Sequence, residues 1–365
     1  MKNKFILFTV IIFFLTSCKE ERVKPIVSKI EFESRLLNTN KYGISYFGMS
    51  LLKPVFLNKD SINMTIGLGN NLEKKVYIFN IGDSLLLRKV IDLREVYRKD
   101  SSVLQTIKPI GKDSLLIFKE SSISIYNTDA EELVYFHKFT DENKSLLSQF
   151  SLPVIRNGYF YSELIEWDAQ PLGNGVLNTR VIYKFDIQNS SGNCLPIRMF
   201  YENLYVNPMF KHYFNIYNGK LILSNSMNKD VRIYDLNGNK ISFKTLKGLS
   251  DDEFRHSDIT STIDKAKEEL LMNKIYSNVI INAQTGNFYR FVSGNINLKN
   301  KSGMISKINN KPIYVLEYNS EYQLVRIINT NMKGFLPEYF YVVNDELFCI
   351  RFYGGNLRIF YSKLW

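Results

Sequence analysis

The chain has 365 residues, 45% of them apolar and 23% charged, with a formal net charge of +11. These fractions exclude disorder, collagen and coiled coil, and the length holds two average domains or one large all-β domain. Aromatics make up 14%, with 23 Tyr and 26 Phe against two Trp and nine Pro, which favours strands over helices.

Residues 1–17 read as an export signal. Lys2 and Lys4 form a charged start, and Phe5 to Leu15 is apolar except for Thr9, the layout of a secretory signal. The run is too short to cross a bilayer, which takes roughly 20 apolar residues. Leu15-Thr16-Ser17-Cys18 follows and resembles a bacterial lipobox, whose cysteine becomes the lipidated first residue of the mature chain. The resemblance implies two or three acyl chains on Cys18. One chain alone, at about 0.8 kcal/mol per buried CH₂, anchors only marginally. A thiol consumed in a thioether is neither a redox nor a metal candidate. Lys19-Glu20-Glu21 resembles a short signal with which some Gram-negative bacteria send lipoproteins to the outer face of the outer membrane. Surface display is expected, with a periplasm-facing anchor as the alternative. Residues 18–28 are expected to form the lipidated tether and residues 29–365 the folded domain.

Past residue 30, short runs of Val, Ile, Leu, Tyr and Phe are broken by Asn, Asp, Gly and Lys, which is strand-and-turn punctuation. The runs recur as a unit. One copy is Ile216-Tyr-Asn-Gly-Lys-Leu-Ile-Leu, Val231-Arg-Ile-Tyr-Asp-Leu-Asn-Gly and Lys240-Ile-Ser-Phe-Lys. A second starts at Ile110-Gly-Lys-Asp-Ser-Leu-Leu-Ile-Phe, and a third at Val343-Asn-Asp-Glu-Leu-Phe-Cys-Ile. Weaker copies start near Leu57, Ile155, Ile263 and Ile308. Such a period, with about four short strands per unit, predicts an all-β fold: a single β-propeller of about seven blades, with six as the alternative. Packing four-stranded sheets radially covers both faces of each and leaves only short edges. Asn218-Gly219 and Asn237-Gly238 suit tight hairpins. The N-terminal strand, Lys29-Ile-Glu-Phe-Glu-Ser-Arg-Leu, is expected to close the last blade outside strands 338–343, 346–352 and 357–364. The aromatic C-terminus at Trp365 also suits an outer-membrane barrel, but barrel strands run about ten residues with one lipid-facing side. These runs are shorter and apolar on both faces.

A lipobox followed by such repeats resembles the TolB-like propeller lipoproteins of Gram-negative bacteria, many of which belong to domain families of unassigned function. The resemblance covers nearly the whole mature chain, and it implies a fold and an address but no activity.

Charge and motifs narrow the function. The basic residues are scattered, with no long Lys/Arg run, so no nucleic-acid partner is expected. The chain has no His-Glu-x-x-His, Gly-x-Ser-x-Gly or Walker loop, and no cofactor or metal is expected. His137, His212 and His256 stand in different units. Cys194 and Cys349 do too, and since bridged cysteines need Cα atoms within about 7 Å, two separate buried thiols are expected. In propellers the connections after second and fourth strands share one face, here 67–75, 94–102, 140–149, 167–180, 201–212, 247–262, 292–303 and 331–337. Two of these stand out. Glu166, Trp167 and Asp168 open a long excursion with the one internal Trp, which suits stacking on a sugar or anchoring a partner; the alternative is a Trp packed as a blade cap. Asp251, Asp252, Arg255 and His256 form the densest ionisable cluster; the alternative is a solvated helical turn capped by Ser250. The expected function is a surface-anchored, non-catalytic binding or scaffold module for a protein or glycan partner. The alternatives are a glycan hydrolase or lyase using carboxylates of this face, and a subunit of an envelope assembly.

Overall fold

The computed structural model describes residues 25–38, 55–59, 64–70, 72–81, 85–110, 113–139, 144–147, 153–166, 179–198, 212–227, 229–249, 262–282, 285–298, 302, 306–334, 340–343, 346–353 and 356–363. Two strands open the chain, β1 (Ile26–Lys29) and β2 (Glu33–Asn38). Blade 1 holds β3 (Val55–Lys59), β4 (Met64–Asn70), β5 (Lys75–Ile81) and β6 (Leu85–Asp92). A short helix, α1 (Arg94–Lys99), leads to blade 2: β7 (Leu104–Pro109), β8 (Ser114–Lys119), β9 (Ser122–Asn127) and β10 (Glu132–Lys138). In blade 3 the inner position is shared by β11 (Lys144–Leu147) and β12 (Val154–Arg156), which both pair with β13 (Tyr159–Glu166). Outside it lie β14 (Thr179–Asp186) and β15 (Ser191–Arg198). Blade 4 is β16 (His212–Tyr217), β17 (Lys220–Asn225), β18 (Val231–Asp235) and β19 (Lys240–Lys244).

A second helix, α2 (Thr262–Met272), precedes blade 5. There β20 (Ile275–Tyr276) and β21 (Ile280–Ile281) share the inner edge of β22 (Phe288–Ser293), followed outward by β23 (Pro312–Tyr318) and β24 (Leu324–Lys333). Blade 6 is β25 (Phe340–Val343), β26 (Glu346–Tyr353) and β27 (Asn356–Lys363), with β2 antiparallel to β27 as its outer strand.

The ring therefore has six blades, not seven. The surplus unit was the one drawn at Ile263. Its apolar residues Ile263, Ala266, Leu270 and Leu271 recur at helical spacing, and they form α2 in the connection between blades 4 and 5. The unit drawn at Ile308 is the third and fourth strands of blade 5. The N-terminal closure of the last blade is as expected, with Glu33–Asn38 registered against Tyr361–Asn356. Residues 26–29 form β1, which lies parallel to β24 as a fifth, outermost strand of blade 5. The chain thus touches the rims of two neighbouring blades before it enters blade 1.

The core sits between blades. On β8, Leu115 and Ile117 pack with blade 1 residues such as Val76 and Ile91. The alternate residues Leu116 and Phe118 pack with Phe160 and Phe185 of blade 3. This period of two explains why the second strands read as unbroken apolar runs: both faces are buried. The same alternation on β22 sends Phe288 and Val292 toward blade 4 and Tyr289 and Phe291 toward blade 6. Cys349 is buried in the seam of blades 5 and 6, and Cys194 is half-buried beside the seam of blades 2 and 3. The two thiols lie in different blades, unbridged.

Turn chemistry follows the sequence. Asn218 and Gly219 both have positive φ, 47° and 68°, the pairing a two-residue hairpin needs. At Gly238, φ is 91° and an added Cβ would meet Pro196 Cδ at 2.7 Å, so glycine is required by conformation and by space.

Inner strands are stitched across the seams. Asn215 Nδ2 donates to Val279 O and Asn278 Nδ2 to Phe214 O, each at 3.1 Å, a reciprocal tie between blades 4 and 5. Beside it lies Arg290, fully buried. Its guanidinium donates to Asn225 O at 2.8 Å and Ser277 O at 3.1 Å, and sits 4.7 Å from the Tyr276 ring centroid. Burial lowers its pKa, and the surrounding tyrosines and Asp230 oppose that shift.

Candidate functional site

The connection from β6 to β7 carries the site. Asp92 Oδ1 accepts the Arg94 N–H at 2.8 Å, which turns the strand end into α1. Leu93 N–H donates to Lys74 O at 2.8 Å, sewing this entry to the β4–β5 turn. Val96 faces inward into the seam of blades 1 and 2. The helix ends at Asp100, whose N–H donates to Val96 O at 3.0 Å and whose extended backbone leads to β7.

Asp100 is the hub beneath α1. Its carboxylate accepts the Ser102 N–H at 3.0 Å, the Ser102 hydroxyl at 2.6 Å, the Ser121 hydroxyl at 3.0 Å and the Ser122 hydroxyl. Lys119, with 0% of its surface exposed, donates to Asp100 O and holds its ammonium 3.6 Å from the Tyr97 ring centroid. Burial works against the Asp100 charge, but the Ser102 and Ser122 donors and nearby Lys119 outweigh it, so its pKa is lowered. Burial pulls Lys119 down to about 8, against the attraction of Asp100, and pushes the Tyr97 phenol up to about 12.

Above this hub lies a groove of about 690 Å³ along the outer flank of the seam between blades 1 and 2. Tyr97 and Tyr126 line it together with Lys74, Asp92, Arg98 and Glu131. Arg94 closes on Asp92 at 2.6 Å, and their hydrogen bond lowers the Asp92 pKa and raises that of Arg94. Lys89 pairs with Glu131 at 3.2 Å and donates to Thr128 O, which bounds the far end. A groove with phenols, carboxylates, an ammonium and two guanidinium groups offers donors and acceptors on all sides and little net charge. Such a lining suits a polyhydroxylated or peptide-like ligand. Every described carboxyl whose pKa departs from the ordinary value (Asp92, Asp100, Asp186, Asp235) is lowered. None of these is held protonated as a general acid would be. Among the described residues no three of His, Cys, Asp and Glu converge on a metal position.

The residues singled out from sequence fall differently. Segment 94–102, named there as part of the ligand face, is where the groove forms, although on the flank of a seam and not at the channel mouth. Glu166 ends β13, opposite Thr179 and Lys144. Cys18, Lys19, Glu20, Glu21, Trp167, Asp168, Asp251, Asp252, Arg255 and His256 lie outside the described residues. The strands flanking them show which connections they occupy: 167–178 joins a second strand to a third, and 245–261 follows a fourth strand, the connection class that also carries α1. His137 packs against Phe139 and Phe185, at centroid distances of 4.9 and 4.6 Å, and burial lowers its pKa. Sequence reasoning reached Tyr97 and Asp100 only as members of segment 94–102, and missed Tyr126 and the Lys119, Ser121 and Ser122 partners of Asp100. The available signal was a lysine, Lys119, closing the apolar run Leu115–Phe118 beside the serine pair Ser121-Ser122.

The chain is similar to several solved structures. A member of the DUF4221 family from Bacteroides vulgatus superposes with a TM-score of 0.64 at 13% identity, over 92% of this chain and 98% of that one. The calcium-binding protein regucalcin from Agrobacterium tumefaciens matches at 0.47 and 10% identity, over 93% and 97%. A gluconolactonase from Xanthomonas campestris matches at 0.41 and 10%, over 94% and 100%. At 13% identity the likeness to the DUF4221 member is one of fold alone. No family model and no curated protein matches the chain.

Proposed function

We propose that the chain is a lipid-anchored propeller displayed at the cell surface, which binds a protein or glycan partner without transforming it. The lipobox Leu15-Thr16-Ser17-Cys18 and the following Lys19-Glu20-Glu21 support the address. The observation that carries the binding reading is the groove over α1, which two tyrosines and paired charges line.

The test has two readouts on one sample. Purified protein is incubated with a panel of envelope polysaccharides and peptides, retained ligand is measured, and the supernatant is examined for released product. Retention that Tyr97→Ala or Arg98→Ala abolishes, with no product, is the expected result. Product release, or retention indifferent to both substitutions, overturns the proposal. Mass analysis of Cys18 and protease accessibility on intact cells test the address separately.

A further inference from the structure

We infer that the outer rim where blades 5, 6 and 1 meet rests on the lipid surface that holds the anchor, so that the ring stands on its edge. The inference rests on the reading of Cys18 as the lipidated residue. From Cys18 to Ile26 the chain reaches at most about 28 Å when fully extended, against about 50 Å for the width of a compact body of this length. The anchor therefore keeps the end of β1 near the membrane and selects which part of the rim faces it.

That part of the rim is apolar and uncovered. β1 pairs with β24 on one side, and Ile26 and Val27 are 65% and 74% exposed. Three residues later the chain enters β2, where Leu36 is 53% exposed. β2 lies beside β6, where Leu86 is 57% exposed. A monomer in water gains nothing from presenting Ile, Val and Leu on three successive outer strands. A strand edge beside them adds unpaired backbone groups. Among the described side chains of this stretch and of β6, the exposed charges Lys29, Glu31, Glu33 and Arg88 cancel in sign. The contact is thus apolar, a shallow seating in the interface and not an attraction to anionic headgroups. Among the described residues, other outer strands also expose apolar side chains, Ile241 and Phe243 on blade 4 and Val134 on blade 2, and the tether distinguishes the rim of blades 5, 6 and 1 from them.

The experiment uses the mature chain from Cys18 with Cys194→Ser, coupled through the Cys18 thiol to a maleimide lipid. The vesicles are phosphatidylethanolamine and phosphatidylglycerol, and Cys349 is buried and inert. Backbone hydrogen exchange is compared with the uncoupled chain. Exchange within 26–38 and 85–92 is expected to slow about fivefold or more, equally at low and high salt. Val27→Asp with Leu36→Asp, both at exposed positions, should abolish the slowing and leave the melting temperature unchanged. Unaltered exchange at 26–38 overturns the proposal. So does slowing centred on 94–102, on the turns at 218–219 and 236–239, or on 240–244, and so does slowing that survives the double substitution. The mass of the Cys18 peptide from envelope-made protein reads the anchor itself: an unmodified Cys18 removes the premise, whereas the vesicle result, obtained through a chemical tether, removes only the rim contact.

Discussion

Replacing Asp100 with alanine should cost about 3–4 kcal/mol, and most of that loss is identifiable in the structure. The carboxylate accepts from Ser102, Ser121 and Ser122 and lies beside the Lys119 ammonium. Ser102 and Ser121 lie at a half-exposed margin, where water replaces the lost acceptor at little cost. Ser122 and Lys119 are both 0% exposed: Ser122 loses its acceptor, and Lys119 keeps its bond to the Asp100 main-chain oxygen but loses the nearby counter-charge, each at about 1–3 kcal/mol. In a domain of this size 1 kcal/mol moves the melting temperature by about 2 °C, so a drop of roughly 6–8 °C is expected. Asp100→Asn keeps the acceptor for the Ser102 N–H and should cost about half as much. The pH dependence follows from the direction of the shift. The folded pKa of Asp100 lies below its ordinary 3.8, so its stabilisation is complete above that value and is lost as pH falls through the folded pKa. The gap between wild type and Asp100→Asn should therefore close in acid, stay level from pH 5 to about 7, and narrow again above that, as Lys119, held down to about 8, loses its proton and with it the attraction to Asp100. Urea titrations at several pH values measure it. A loss under about 1 kcal/mol for Asp100→Ala at neutral pH, or a gap that widens in acid, would refute the hub.

Other expectations concern the anchor, the closure and the unplaced tryptophan. Cys18→Ala should release the protein from membranes into the soluble fraction; a mutant that resists a carbonate wash contradicts the lipobox. Alanines at Lys19, Glu20 and Glu21 should keep the lipid but end proteolysis of intact cells, and unchanged accessibility would place the export address elsewhere. Deleting residues 338–365 removes blade 6 and the partner of β2, so the whole ring should unfold in place of trimming; a soluble, cooperative truncation argues against closure. Trp167→Ala should weaken the natural partner by about 2 kcal/mol with little change in melting temperature if the side chain is a contact. A packed Trp would reverse this, costing roughly 3–5 kcal/mol of stability.

Much of the ring was legible in the residues because its signals are local. Apolar runs such as Leu115–Phe118, Asn-Gly pairs with left-handed backbone and the repeat of both are set by neighbours within a hairpin. The N-terminal closing strand was also readable, because blade 6 supplies three strands from its own segment and must take a fourth from elsewhere. The blade count was not. Thr262–Met272 carries its apolar residues at helical spacing, but only its docking, with Leu270 against Ile275 and Lys311 donating to Leu270 O and Asn273 O, places that helix between two blades. The parallel seat of β1 on β24 joins residues some 300 positions apart, and no short-range period encodes such a pairing. The same holds for the buried cations. Lys119, Arg290 and Lys311 look like solvated charges in sequence, yet each is buried where carbonyl oxygens from other segments converge. Desolvating a charge is tolerated only when its partners are brought to it, and bringing Asp100 to Lys119, with α1 and the groove above them, is work that only the packed blades perform.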